Sequence, residues 1–279
     1  NITVGGTGKT PVVIALARFL KEKGWRPGIV SRGYGGKIKH FPYQVHQNSN
    51  AREVGDEPLL IVRHTDCPTV IDPNRSRGVR ALLKRAHCNL VISDDGLQHS
   101  SLGRNIEIIV VDGERRFGNN FCLPAGPLRE PTSRLNSVDF VISKENPLRH
   151  EFKLSLIPDH FYQLIQPKIK KTLDYFHGKT LHAVAGIGNP DQFFNSLRKL
   201  NLKIIEHPFP DHYLFKPHDF SYGSDAIIIM TEKDAVKCVG FVDARLWCLN
   251  TKTELDTNLL NTVLKRVTTL NNNLKSSSG

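Results

Sequence analysis

The run Gly5-Gly6-Thr7-Gly8-Lys9-Thr10 lies between the short apolar stretch Ile2-Thr3-Val4 and a helical pattern in which Val13, Leu16, Ala17 and Leu20 recur on one face. It constrains the fold more than any other feature of the chain. Glycines let a loop close tightly with its backbone N–H groups turned inward, a lysine at the start of the helix reaches the outer phosphates of a nucleotide, and the next threonine hydroxyl can hold a magnesium ion. Gly24 ends the helical pattern. Strand, loop and helix therefore come in the order of a phosphate-binding unit, with Gly5, Gly6, Thr7, Gly8, Lys9 and Thr10 as its nucleotide contacts. The strict pattern has glycine five residues before Gly8, where Thr3 stands, so the form here is GGxGKT. A plain glycine-rich turn would leave the Lys-Thr pair at the helix start without a reason. The strand that feeds the loop has barely begun at Asn1, and a further N-terminal segment is expected.

Short apolar runs then alternate with helical patterns: Gly28 to Ser31, a helix over Asp56 to His64, Thr69 to Ile71, a helix over Arg75 to His87, Asn89 to Ser93, Glu107 to Val111 and Phe140 to Ser143. Such alternation predicts a mainly parallel sheet covered by helices, with ligands at the C-terminal strand ends. Between Asn146 and Gly178 the pattern loosens around Pro147, Pro158, Pro167 and the cluster Lys168, Lys170 and Lys171, which reads as a connection. A second alternation follows, with strands at Leu181 to Ala185, Ala226 to Thr231 and Leu246 to Leu249 and helices at Asp191 to Leu200 and about Glu254 to Val267. The fold class expected is α/β, a P-loop NTPase-like parallel sheet flanked by helices with a second, smaller α/β domain. Its divisions are a nucleotide-binding domain at 1–150, a connecting segment at 151–178, the smaller domain at 179–270 closing a cleft, and a frayed polar tail at 271–279.

Composition narrows the partners. With 39% hydrophobic and 23% charged residues among 279, the chain is globular rather than disordered. Five scattered cysteines without a CxxC pair argue against a zinc site and for a reducing compartment. No apolar run is long enough to span a bilayer. The formal net charge of +11 favours polyanions. The basic residues are dispersed and no aromatic-interleaved RNA-binding signature accompanies them, so nucleic acid is the weaker option beside an anionic membrane surface or a phosphorylated substrate.

Several segments carry candidate chemistry. Asn89 to Ser93 ends in Asp94-Asp95-Gly96-Leu97-Gln98-His99, and a carboxylate at a strand end is what a phosphate loop needs for magnesium. A bare Asp-Asp-Gly turn is the alternative, disfavoured downstream of a GGxGKT loop. In Gly55-Asp56-Glu57-Pro58, Asp56 is either a helix N-cap or a base toward a substrate hydroxyl. The proline-rich stretch Leu123 to Pro131 carries Arg129 and Glu130, positioned near phosphate or simply exposed on a rigid turn. Phe209-Pro210-Asp211-His212-Tyr213 holds an Asp-His pair, and a lone histidine is more often structural than catalytic. Thr231-Glu232-Lys233-Asp234 follows an apolar strand with the wrong spacing for a guanine-reading NKxD motif, and reads as a helix cap.

Taken together, GGTGKTP, SRGYGG (Ser31 to Gly36), VGDEP (Val54 to Pro58), DDGLQH, FGNN with LPAGPLREP (Phe117 to Pro131), FPDHY and TEKDAVK (Thr231 to Lys237) resemble the tetraacyldisaccharide 4'-kinase family, in order and at plausible spacing from Asn1 to about Lys237. The resemblance implies a lipid kinase with ATP and Mg²⁺ as cofactors, moving the γ-phosphate to the 4'-hydroxyl of an acylated glucosamine disaccharide 1-phosphate in lipid A biosynthesis. It also implies the cytoplasmic face of the bacterial inner membrane and an N-terminal membrane helix ahead of the phosphate loop that this chain starts too late to include; no obligate protein partner is evident in the sequence. By motif matching, Asp56 and His212 are the base pair, Lys9 and Arg129 serve the transferring phosphate, and Thr10, Asp94, Asp95 and Glu130 the metal. Asn119-Asn120 departs from the Asn-Gly expected at that place. A regulatory ATPase with a deviant phosphate loop is the competing class; it leaves LPAGPLREP and FPDHY without a role, and the lysine usual before its two glycines is Val4 here.

Overall fold

The computed structural model describes residues 1–276. Helix α1 (Lys9–Glu22) grows directly from the glycine loop and buries Val12, Val13, Ile14, Leu16, Ala17 and Leu20, a wide apolar stripe at helical spacing. Strand β1 (Pro27–Ser31) is buried at every position, as a central parallel strand covered on both faces must be. It is flanked by β3 (Thr69–Ile71) and β4 (Leu90–Ser93), both parallel to it, while the short β2 (Tyr43–Val45) pairs antiparallel with β3. These form a four-stranded sheet in the order β2-β3-β1-β4. Helices α2 (Ala51–Val54), α3 (Asp56–Thr65) and α4 (Arg75–Arg85) lie in the connections, α3 and α4 within two residues of where apolar spacing puts them.

The remaining strands build a second sheet. Strands β5 (Ile108–Asp112), β6 (Phe140–Lys144) and β7 (Phe152–Gln163) run parallel to one another. Strand β8 (Lys170–Lys171) folds back on β7. After β9 (Thr180–Ala185), α5 (Pro190–Lys199) and the edge strand β10 (Lys203–Pro208) come β11 (Ile227–Thr231), the short α6 (Glu232–Ala235), β12 (Leu246–Leu255) and α7 (Thr257–Ser276). The order is β10-β9-β11-β12-β7-β6-β5, with β8 beside β7, so this one sheet takes strands from both sides of residue 150.

The stretch 151–178, expected as a connection, instead contains the longest strand of the sheet. Phe152, Leu154 and Leu156 alternate with Lys153 and Ser155 as a strand should, but Pro158 interrupts the pattern, and the register shifts opposite it between Asn250 and Thr251. A proline without an N–H is tolerated at such a bulge. The β7–β12 pair is antiparallel, and this reversal positions the site. Lys144, at the end of β6, stands level with Leu154, whereas Thr231, at the end of β11, pairs with Leu249, which is opposite Phe161. The two sets of parallel strands therefore point their C-terminal ends at each other across the β7–β12 ribbon.

Helix α7 packs Leu259, Val263 and Val267 against Val12 and Leu16 of α1 and against Val110, Phe140 and Ile142. It continues through Ser276, so residues 271–276, expected to fray, are helical; residues 277–279 of that tail lie outside the described residues. All five cysteines are unpaired. No helix among the described residues is long and apolar enough to cross a membrane.

Candidate active site

The glycine loop has the backbone its composition demands. Gly5 and Gly8 have φ of 96° and 95°, a region open to glycine and strained for other residues. A Cβ on Gly8 would also lie 3.0 Å from Cδ2 of Leu154. Gly8 caps α1, and Thr10 is the second, buried residue of that helix. Inside the loop Thr7 is buried, its hydroxyl accepting a hydrogen bond of 2.8 Å from Nδ2 of Asn1. The Lys9 ammonium reaches Oδ1 of Asp95 at 3.1 Å and Oδ1 of Asn1 at 3.2 Å. Two cations that sequence reasoning passed over flank the same loop. Arg115 Nη1 lies 3.5 Å from where a Gly5 Cβ would be, and the buried Lys144 side chain lies beside Gly8. Both sit at or just beyond C-terminal strand ends, and that position was the signal available for finding them. Lys144 also lines a cleft of about 980 Å³, whose wall includes Leu156, Pro158, Gln192, Thr231 and Thr251.

Strand β4 ends in two aspartates with opposite environments. Asp94 is 1% exposed; its Oδ2 accepts a 3.0 Å bond from the Ser31 hydroxyl, and its Oδ1 has no partner. Burial, with the Glu57 and Asp95 carboxylates adding to it, raises its pKa to about 6. Burial acts the same way on Asp95, but Lys9 and Arg129 outweigh it and hold this carboxyl well below the usual range. Arg129 Nη1 donates to Oδ2 of Asp95 at 2.9 Å and to Oε1 of Gln98 at 3.3 Å. Glu130 is turned one step away, accepting from Gln98 Nε2 at 2.7 Å and Arg134 Nε at 3.2 Å.

Arg129 and Asp95 thus meet directly, and Glu130 joins them through Gln98. Among the described residues no three histidine, cysteine or carboxylate side chains converge as a ready metal cluster. An orphaned carboxylate oxygen on buried Asp94, at a strand end beside the Lys9 ammonium, nevertheless fits magnesium, which takes few protein oxygens and keeps several waters. Asn120, where the family resemblance leads one to expect glycine, has φ of 63°; asparagine is among the residues that tolerate this left-handed region best.

The segment 209–213 follows β10 and comes close to the glycine loop, a Cβ on Gly188 lying 3.1 Å from Oδ2 of Asp211 and 3.4 Å from the Gly6 nitrogen. Nδ1 of His212 bonds Oδ2 of Asp56 at 3.0 Å, joining residues 156 apart in sequence. Asp56 does not act as the N-cap; Gly55 holds that position and Asp56 is the first residue of α3. Its Oδ1 accepts the Glu57 N–H at 2.9 Å, which leaves Oδ2 for the histidine. Gly55 is required there, since a Cβ would come within 2.6 Å of the Tyr34 carbonyl oxygen. Tyr34 in turn sets its ring 5.0 Å from the imidazole. Asp56 is buried with its side chain 3% exposed, and the His212 side chain is 21% exposed. The hydrogen bond that His212 donates to Asp56 raises the histidine's pKa against the opposing effect of burial. Burial pushes Asp56 upward, but His212 and Lys233 more than offset it and hold its carboxyl below the ordinary value. Thr231 caps α6 as expected, accepting from the Asp234 N–H at 3.1 Å. The adjacent Lys233 turns into the Asp56–His212 site, which the capping role did not foretell.

A glycine loop of phosphate-cradling sequence and backbone, set beside a hydrogen-bonded Asp–His pair, gives the class: a P-loop phosphotransferase. The LpxK family, described as tetraacyldisaccharide-1-P 4'-kinase, matches residues 1–269, and the chain belongs to that family. A tetraacyldisaccharide 4'-kinase of Nitrosococcus oceani is 52% identical over 248 residues, which are 88% of this chain and 73% of the relative. One of Methylobacillus flagellatus is 48% identical over 272 residues, 97% of this chain and 81% of the relative. The crystal structure of LpxK from Aquifex aeolicus in complex with ATP superposes with a TM-score of 0.77 at 27% identity, covering 96% of this chain and 86% of that one.

Proposed function

We propose that the chain transfers the γ-phosphate of ATP to the 4'-hydroxyl of a tetraacylated glucosamine disaccharide 1-phosphate, a step of lipid A biosynthesis, at the cytoplasmic face of the inner membrane. The observation that carries this reading is the Asp56–His212 bond at 3.0 Å, because a proton acceptor opposite a phosphate loop is what an alcohol acceptor requires and a regulatory ATPase does not. Asp56, buried and ionised, orients the imidazole and fixes Nδ1–H as the donor. The outer nitrogen Nε2 is then the one that takes the proton of the sugar hydroxyl.

The loop N–H groups from Gly5 to Gly8, the Lys9 ammonium and the Arg129 guanidinium hold the phosphates. Thr10 with Asp94 and Asp95 would hold magnesium, and Glu130 supports them through Gln98 and Arg129; the ion supplies neutralisation of phosphate charge. On this reading residues 1–150 carry the nucleotide loop and 179–270 close the cleft, with strand β7 of residues 151–178 joining the two in one sheet. The lipid acceptor and an anionic membrane surface are its partners, without nucleic acid or an obligate protein partner.

Transfer of label from γ-³²P-ATP to the purified lipid acceptor tests the reading. Lys9→Ala is expected to lose about two orders of magnitude or more in turnover, the scale of removing one electrostatic contact to developing charge, while its circular dichroism is unchanged. Near-normal turnover in that variant would refute the cradle assignment.

A further inference from the structure

The TEKD segment contributes more than a helix cap. The ammonium of Lys233 lies among three carboxylates, 3.2 Å from Oε1 of Glu57, 3.6 Å from Oδ1 of Asp211 and 4.0 Å from Oδ2 of Asp56. Its side chain is 21% exposed, so this cation is kept out of bulk water by a site that supplies several partners. Burial lowers its pKa, but Glu57, Asp56 and Asp211 together outweigh burial and raise it, so it stays an ammonium throughout the neutral range.

His212 faces Asp56 through Nδ1, while its Nε2 lies 3.7 Å from Oδ2 of Asp211. The other oxygen of Asp211 is the one turned to Lys233. We propose that Lys233 is a positioning residue of the phosphoryl transfer, clamping Asp211 and Asp56 so that Nε2 of His212 stays free to take a proton. Without the ammonium, Asp211 and Asp56 face the imidazole from its two nitrogens as uncompensated anions. Together they stabilise a doubly protonated ring that is no longer a base. The groups that bear on the ring are Asp56 and Glu57 from α3, Asp211 from its own loop, Lys233 from α6, Lys237 just beyond it, and the Tyr34 ring. Lys233 is the cation directly paired with the carboxylates on either side of the imidazole.

The proposal rests on the reading of His212 as proton acceptor, so its test has two readouts. One is kcat for phosphorylation of the lipid acceptor against pH. The other needs no turnover: the rate at which diethyl pyrocarbonate carbethoxylates the His212 peptide of the full chain, followed by mass spectrometry across pH, which reports the neutral imidazole. Lys233→Met is expected to move both midpoints upward by about half a unit to one unit, the effect of losing one nearby charge, with KM for ATP within about twofold. Lys233→Arg, which keeps the charge, is expected to leave both midpoints near wild type. The double variant Lys233→Met with Asp211→Asn, which removes one cation and one anion together, is expected to bring them back.

Should Lys233→Met fold poorly, the double and arginine variants carry the comparison. Unmoved carbethoxylation midpoints in Lys233→Met, or in the double variant a midpoint as high as in a well-folded Lys233→Met, overturn the proposal. A carbethoxylation midpoint that moves as expected while the kinetic limb stays still keeps the clamp and removes His212 as the base.

Discussion

His212 holds a left-handed backbone conformation, with φ of 59°, and its N–H is bonded to Oδ1 of Asp211 at 3.0 Å. A side chain with a Cβ pays for that conformation, and such strain concentrates where a group must be aimed rather than merely packed. Asp56 is divided in a similar way, one oxygen on its helix and the other on the histidine. If the two act as a unit, Asp56→Ala and His212→Ala should each lower kcat by roughly two to four orders of magnitude with little change in KM for ATP. The double variant should then cost little beyond the worse single one; losses that multiply fully would separate the pair. Because Asp56 raises the histidine's pKa, activity should fall as pH drops through a value above that of a free imidazole, and removing Asp56 should move this limb to lower pH. For the metal, Asp94→Ala and Asp95→Ala should reduce turnover by orders of magnitude, and Glu130→Ala should raise the magnesium concentration needed for half-maximal rate. Wild-type magnesium dependence in all three would remove these residues from the metal site. Lys9 is named by the glycine loop itself, whereas Asp56, His212 and Arg129 are named by the family resemblance, since locally Asp56 reads equally as a helix cap, His212 as a structural histidine and Arg129 as part of an exposed turn. Lys233, Arg115 and Lys144 also follow strand ends, but which residues there turn toward the glycine loop or toward Asp56 depends on how distant strands are placed in space, and spacing along the chain does not carry that.

Elements were legible where one periodicity rules. Strand β3 and the start of α3 fall where the apolar pattern ends them, and β1, β5 and β11 are displaced by no more than one residue at either end. Strands β7 and β10 were missed for a physical reason: both carry charged and proline residues on an accessible face, so their apolar content is diluted, and β10 is an edge strand paired only with β9. The antiparallel β7–β12 ribbon was invisible as well, because the partners are some ninety residues apart and neither predicts the other's register. One short element has a sharp test. Gly55 joins α2 to α3 at φ of 91°, pressed against the Tyr34 carbonyl. Gly55→Ala should destabilise the fold by about 1–3 kcal/mol in denaturant melts, from strain and overlap together. Since the substitution displaces Asp56, kcat should fall by more than the unfolded fraction explains. A stable variant with full activity would show that the approach of these two segments is not needed.

At the scale of the molecule, the two sheets share one consequence of strand direction. The ends of β5 and β6 beside the glycine loop face the ends of β9 and β11 across a cleft, so residues separated by much of the chain are brought to one place. The surface around them carries a formal net charge of +11, spread over the chain. None of the described helices is long and apolar enough to cross a bilayer, while Phe121 and Leu123 stand exposed near the loop that carries Arg129. If the proposed membrane partner is approached through charge, these 279 residues should bind vesicles containing anionic phospholipid weakly and neutral vesicles hardly at all. Binding should fall about tenfold or more between 0.05 M and 0.5 M salt, because the screening length contracts from above to well below about 10 Å. Flotation of the protein with each vesicle type at several salt concentrations measures this directly. Attachment to neutral vesicles that survives high salt would place the energy in buried apolar surface instead. Phe121→Ser with Leu123→Ser would then be expected to abolish it, at about 25 cal/mol for each Å² of apolar contact removed.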